Sequence, residues 1–157
     1  MNLTAFRNVS GSPSDPVVTW PYEGLVEVLE RGLLPDWLPL IREIRRLPWG
    51  ETARRVEEYV STTEDSRLRA LFLAIVHEAR EQCEARERED VAKRVRDAIE
   101  LSGLSQAAFA KAMGTSASRL STYLCGSVIP SGALLVRMER LAPLLAEQTR
   151  TLSAVRS

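Results

Sequence analysis

The side chains with the most to offer chemically lie in one stretch, LSQAAFAKAMGTSASRLSTYLCGSVIP, Leu104 to Pro130. It holds Lys111 and Arg119 and no carboxylate, in a chain that is 27% charged. Its polar groups are mostly hydroxyls: Ser105, Ser116, Ser118, Ser121, Thr122 and Ser127. No general base lies at a spacing that would turn one of them into a nucleophile. Small hydroxyls and a guanidinium instead suit close-range hydrogen bonding. Ser and Thr can donate or accept at base edges and phosphates, and Arg119 can place two donors on guanine O6 and N7. Small side chains let a helix backbone approach the floor of a major groove about 12 Å wide. A face without acids does not repel a polyanion.

Other reactive residue types are sparse. His77 is the single histidine, beside Glu78 in LFLAIVHEAR; a lone histidine on a helix reads as structural. Cys83 and Cys125 are too far apart in sequence for a zinc spacing and too few for a disulfide framework, so two buried or idle thiols in a reducing cytosol are expected. There is no Gly-rich phosphate loop. The sequence therefore predicts no catalytic residue, no metal site and no cofactor: not an enzyme.

To present those hydroxyls the chain needs two short helices packed hard on each other through a tight turn. The pattern supplies them. Ser105 is an N-cap for a helix from Gln106 to about Met113. Phe109 and Met113 share one of its faces, and Ala110 is small enough for close crossing. Gly114 follows, where a left-handed residue ends a helix at least cost. Thr115 or Ser116 caps a second helix of about eight residues, with Leu120 and Tyr123 turned inward. Ala117, Ser118, Arg119, Ser121 and Thr122 then face outward or flank.

With these positions in place, SQAAFAKAMGTSASRLSTYLCGSVIPS resembles the Cro and lambda-repressor-like (XRE-type) helix-turn-helix. Ser105-Gln106, Phe109-Ala110, Met113-Gly114, Ser116, Leu120-Ser121, Gly126 and Pro130-Ser131 carry the resemblance. It implies a bundle of about five helices from roughly Val91 to Leu145. It also implies that Gln106 touches phosphate and braces the second helix, while Ala117, Ser118, Arg119 and Thr122 face bases. Leu124 stands where many members carry Glu, and Ser127 where many carry Lys or Arg. The predicted DNA-binding set is Gln106, Ser116, Ala117, Ser118, Arg119, Ser121, Thr122 and Ser127.

The rest of the chain must carry this hairpin. Residues 1–19, rich in Ser, Pro, Gly and Asn, predict a flexible or loosely docked arm. Three short helices follow up to about Thr63. In the first, Pro21 sits in the opening turn and Gly32 stops the helix. In the second, Asp36 is the N-cap, Pro39 lies in the first turn, and Leu40, Ile41, Ile44 and Leu47 form the apolar stripe before Pro48. The third runs from Glu51 to Val60. Trp20, Trp37 and Trp49 sit at helix junctions and read as core plugs. From about Ser66 to Ser102 there is almost no breaker. Either one long helix or two meeting near residues 86–89 fit, with the charged middle as a solvated connector. WPYEGLVEVLERGLLPDWLPLIREIRRLPWGETARRVEEYV loosely resembles small actinobacterial regulators with a C-terminal helix-turn-helix, some antitoxin-like. That resemblance assigns no residue a role.

The zero net charge hides a split. Residues 1–87 carry eleven arginines against fifteen acids, net −4, and residues 88–157 carry ten cations against six acids, net +4. No run of about 18 apolar residues exists to span a membrane, and no signal peptide is read at the N-terminus. The expected molecule is all-α. Its parts are an arm (1–19), an N-terminal helical region for assembly or partner binding (20–87), and a lambda-repressor-like helix-turn-helix bundle (88–157) joined to it by a long helix. It is expected to bind double-stranded DNA as a homodimer, as a cytoplasmic transcriptional regulator. The alternative is an antitoxin or adaptor whose N-terminal helices hold a protein partner such as a toxin.

Overall fold

Short apolar stripes separated by Gly, Pro and capping residues fold here, among the described residues, into seven α-helices and one 3-10 turn. The computed structural model describes residues 5–7 and 9–156. Met1–Thr4 and Asn8, part of the expected arm, lie outside the described residues, as does Ser157. The helices are α1 Tyr22–Arg31, α2 Leu34–Arg46, α3 Glu51–Thr62, α4 Ser66–Ser102, α5 Gln106–Met113, α6 Ala117–Leu124 and α7 Gly132–Val155, after a 3-10 turn at Val17–Thr19. No helix is long and apolar enough to cross a membrane among the described residues. The chain divides into two units, Met1–Glu84 and Ala85–Ser157, with the boundary inside α4. Of the two readings of residues 66–102, the single continuous helix is the one formed.

In the first unit, Leu25 and Leu29 of α1, Leu40 and Ile44 of α2, and Val56 and Val60 of α3 meet Phe72 and Val76 of α4 in one core. Each such side chain, removed from water, contributes roughly 1.5–3 kcal/mol before entropy is counted. Asp65 starts α4 by accepting the Arg67 and Leu68 amides, both at 3.0 Å. The half-buried edge of this core is tied by ions: Arg80 of α4 donates to both Glu57 oxygens at 2.7 and 2.8 Å and to the Pro48 carbonyl at 3.1 Å.

Four expectations are narrowed or corrected here. The arm is docked where it is described: Phe6 is buried edge-on against Trp20, centroids 5.5 Å apart, and Glu27 accepts the Arg7 amide at 2.7 Å. An apolar ring in a polar segment found a partner that composition does not reveal. Asp36 is not the N-cap of α2. The helix starts at Leu34, and Asp36, in its first turn, accepts the Leu33 amide at 2.8 Å, the returning half of a capping box. Pro39 thus falls inside the helix rather than in its first turn. Trp20 is buried and Trp37 half-buried, its indole N–H donating to the Val28 carbonyl at 2.8 Å, but Trp49 is 48% exposed and plugs nothing. Finally, of the two alternatives for the thiols, buried or idle, burial is not the case: Cys83 is half-buried and Cys125 exposed.

The second unit packs Val95 and Ala98 of α4, Phe109, Ala110 and Met113 of α5, Leu120 and Tyr123 of α6, and Leu135, Met138 and Ala142 of α7. Val91, Ile99, Leu134 and Leu141 pack at its edge. It holds four helices rather than about five. After Ser131, whose hydroxyl accepts the Leu134 amide at 3.2 Å, α7 runs unbroken through Pro143.

Candidate nucleic-acid interface

The α5–α6 hairpin is built from local requirements. The Ser105 hydroxyl accepts the Ala108 amide at 3.2 Å and starts α5. Gly114 ends it in the left-handed region at φ +75°. There the Gly114 amide donates to the Lys111 carbonyl at 3.2 Å and the Thr115 amide to the Ala110 carbonyl at 3.0 Å, which satisfies carbonyls a helix end leaves open. Of Thr115 and Ser116, it is Ser116 that caps α6, accepting the Arg119 amide at 3.1 Å. Leu120 and Tyr123 turn into the core beside Phe109 and Met113, as their spacing predicts.

Two guanidiniums from distant sequence lock the hairpin. Arg137 of α7 donates to the Met113 carbonyl at 3.0 Å, and Arg96 of α4 to the Leu124 carbonyl at 3.2 Å. Each places a positive charge on the negative end of a hairpin helix. Sequence reasoning missed both, because these partners lie 24 and 28 residues away. Arg94 is likewise occupied, by Glu139 at 2.6 and 3.0 Å.

The outward face of α6 carries what the sequence offered. Ala117, Ser118, Arg119 and Ser121 are exposed, together with the capping Ser116. No hydrogen bond or ion pair engages the Ser118 and Ser121 hydroxyls or the Arg119 guanidinium among the described residues. Ser116 uses an acceptor lone pair in its cap, which leaves its O–H proton for an outside oxygen. Thr122 is half-buried, and its hydroxyl donates to the Arg119 carbonyl at 2.7 Å. It therefore offers an acceptor and a methyl group rather than a donor. Ser127 is exposed but lies in the loop after α6, donating to the Thr122 carbonyl at 3.2 Å and meeting the Cys125 sulfur at 3.1 Å. That contact, with the Ser127 backbone, lowers the Cys125 thiol below its ordinary range. Gln106, the first residue of α5, is exposed, and its side chain makes no hydrogen bond to α6 among the described residues. Val128 and Ile129, in the same loop as Ser127, are exposed apolar residues at 48% and 53%.

This face is small, free of carboxylates and carries one unpaired cation, a surface suited to hydrogen bonding with base edges and phosphate. His77, by contrast, is exposed and lies 3.4 Å from Glu81. No cluster of metal-ligating side chains occurs among the described residues.

Comparison with known proteins agrees with this geometry over part of the chain. A helix-turn-helix family model matches residues 95–142, from the end of α4 through the core of α7. No curated protein and no solved structure matches the chain. Over that segment the chain is similar to helix-turn-helix domains of the Cro and lambda-repressor-like (XRE) type, which are DNA-binding regulatory domains.

Proposed function

We propose that this chain is a sequence-specific transcriptional regulator, a repressor or autoregulator, that binds its operator as a dimer. The observation that carries the proposal is the face of α6: Ser118, Arg119 and Ser121 stand exposed and unpaired while the arginines around them are engaged within the fold. In this reading Arg119 takes a guanine, Ser118, Ser121 and Ala117 meet neighbouring base edges, and Thr122 presents its methyl group or accepts a bond. Gln106, Ser116 and Ser127 contact phosphate. One hairpin with so few cations makes few phosphate contacts. Pairing two half-sites about 34 Å apart supplies the affinity that one lacks.

The test is a titration of the full chain against duplex DNA from its own upstream region, at several salt concentrations. The expected result is saturable binding that competes poorly with random duplex, with log K falling linearly as log salt rises. Equal affinity for both duplexes would contradict sequence-specific regulation.

One observation favours a second reading, an adaptor or antitoxin whose first unit holds a protein partner. Leu34, Leu38, Leu47 and Trp49 are 62%, 39%, 47% and 48% exposed on that unit, more apolar surface than a solvated helix end needs. Under that reading the DNA-binding unit would autoregulate, and a partner would protect Trp49 from a soluble quencher.

A further inference from the structure

The outer side of α2 sorts its charges in a way the rest of its unit does not. Leu34, Leu38, Arg42 and Arg45 are all exposed, and Trp49 stands exposed just past the helix end. On a helix of 3.6 residues per turn the four α2 positions fall within an arc of about 80°. The two acids of α2, Asp36 and Glu43, lie at least about 100° outside that arc. Both are engaged, Asp36 with the Leu33 amide and Glu43 with Arg46. Arg42 and Arg45 make no hydrogen bond or ion pair among the described residues. Residues 1–87 are net −4, yet this stripe presents two unengaged guanidiniums beside large apolar side chains, and no carboxylate.

We propose that this stripe docks an acidic amphipathic helix of a partner protein, whose apolar positions meet Leu34, Leu38 and Trp49 and whose Asp and Glu side chains pair with Arg42 and Arg45. Charge complementarity selects the occupant. A second copy presenting the same stripe brings no carboxylate to Arg42 and Arg45. A basic segment is repelled. A nucleic acid would take the guanidiniums but leave Leu34 and Leu38 without apolar cover. An acidic amphipathic helix meets both demands, its anchors recurring at i, i+4 and i+7. From Leu34 to Arg45 the stripe spans about 16 Å, three turns, which is enough for such a set of anchors. Leu40, Ile41 and Ile44 fix the other side of α2 in the core. The stripe is therefore preformed, and docking need not order this chain's backbone. The inference rests on the reading in which the first unit holds a protein partner, and it names that partner's chemistry.

The test is selection of helical peptides with randomised side chains on the immobilised full chain, at physiological salt and without DNA. Wild type should enrich peptides with apolar residues at i, i+4 and i+7 and with Asp or Glu beside them. Arg42→Ala/Arg45→Ala should bind a selected peptide roughly tenfold more weakly. Its thermal melt should be unchanged, since neither guanidinium engages its own fold. Leu34→Ser/Leu38→Ser should lose the peptide altogether. Enriched peptides that carry no acids, or that need Leu34 and Leu38 but neither arginine, would overturn the acidic partner and leave the partner-binding reading standing. No enriched peptide would overturn both. Two further measurements can reassign the stripe, and either result would overturn the proposal. A dimer in sedimentation that Leu34→Ser/Leu38→Ser abolishes would give it to a second copy. A loss of affinity for random duplex in Arg42→Ala/Arg45→Ala would give it to nucleic acid.

Discussion

Both units turn arginines onto their own fold, and the α6 face of the second carries one that is not. In the first, several arginines are turned onto their own fold: Arg31 on Glu27, Arg46 on Glu43, Arg80 on Glu57 and Pro48, and Arg69 on the carbonyls of Val60 and Thr63. In the second, Arg94, Arg96 and Arg137 do likewise, but Arg119 at the centre of the α6 face does not. A guanidinium with carbonyl or carboxylate partners positions structure; one left without them, on an acid-free face, is free for an outside anion or base. The difference in net charge between the halves matters less than which cations are already engaged.

The most severe way to break this comparison is to remove the core beneath the face. Phe109→Ala should cost about 3–5 kcal/mol, enough to unfold the second unit. All three tryptophans lie in the first unit, so their fluorescence transition should stay at the wild-type temperature while helical signal is lost. A joint shift of both signals would show that the units do not melt separately.

Next in size is the face itself. Arg119→Ala should weaken operator binding by roughly 1–3 kcal/mol and relax preference at one base pair, with no change in melting temperature. An unchanged preference would remove Arg119 from base reading.

The hairpin turn should respond less. Gly114→Val meets open space, its nearest neighbour being Arg137 at 3.8 Å, but keeps φ +75°, which strains a β-branched residue. A loss of about 1 kcal/mol or more in stability is expected, read as a lower melting temperature of the second unit with operator preference kept.

The smallest effect concerns an inward-turned arginine. Hydrogen bonds from Arg46 hold the Glu43 carboxyl below its usual range, against a lesser push upward from burial. A carboxylate with a depressed folded-state pKa stabilises the fold above its unfolded-state pKa, and this is lost as pH falls through the depressed value. Glu43→Gln should therefore lower the melting temperature slightly near neutral pH, by no more than about 2 °C, and the gap should close in acid. A gap that widens in acid would reverse the sign of the coupling.

The hairpin was legible in the sequence because each of its parts is a local demand. A cap needs Ser105 or Ser116, a left-handed stop needs Gly114, and an inward face needs Phe109, Met113, Leu120 and Tyr123 at helical spacing. What could not be read depends on distant partners. The clamps Arg96 and Arg137 look like ordinary surface cations until α6 and α5 end beside them. Phe6 is one apolar residue in a polar arm until Trp20 receives it. The start of α2 turned on whether Asp36 caps from before the helix or from within its first turn, and both place a carboxylate near the same amides. Thr122 was legible as a position but not as a chemistry, since its hydroxyl goes to its own helix.

The central claim, that the α6 face reads DNA sequence, is tested most directly by selecting duplexes bound by the full chain from a random pool. The account predicts an enriched site of two related half-sites about 10 base pairs apart, each with a guanine whose enrichment is lost in Arg119→Ala. A bound pool with no enriched sequence, or one that is the same for Arg119→Ala, would contradict it.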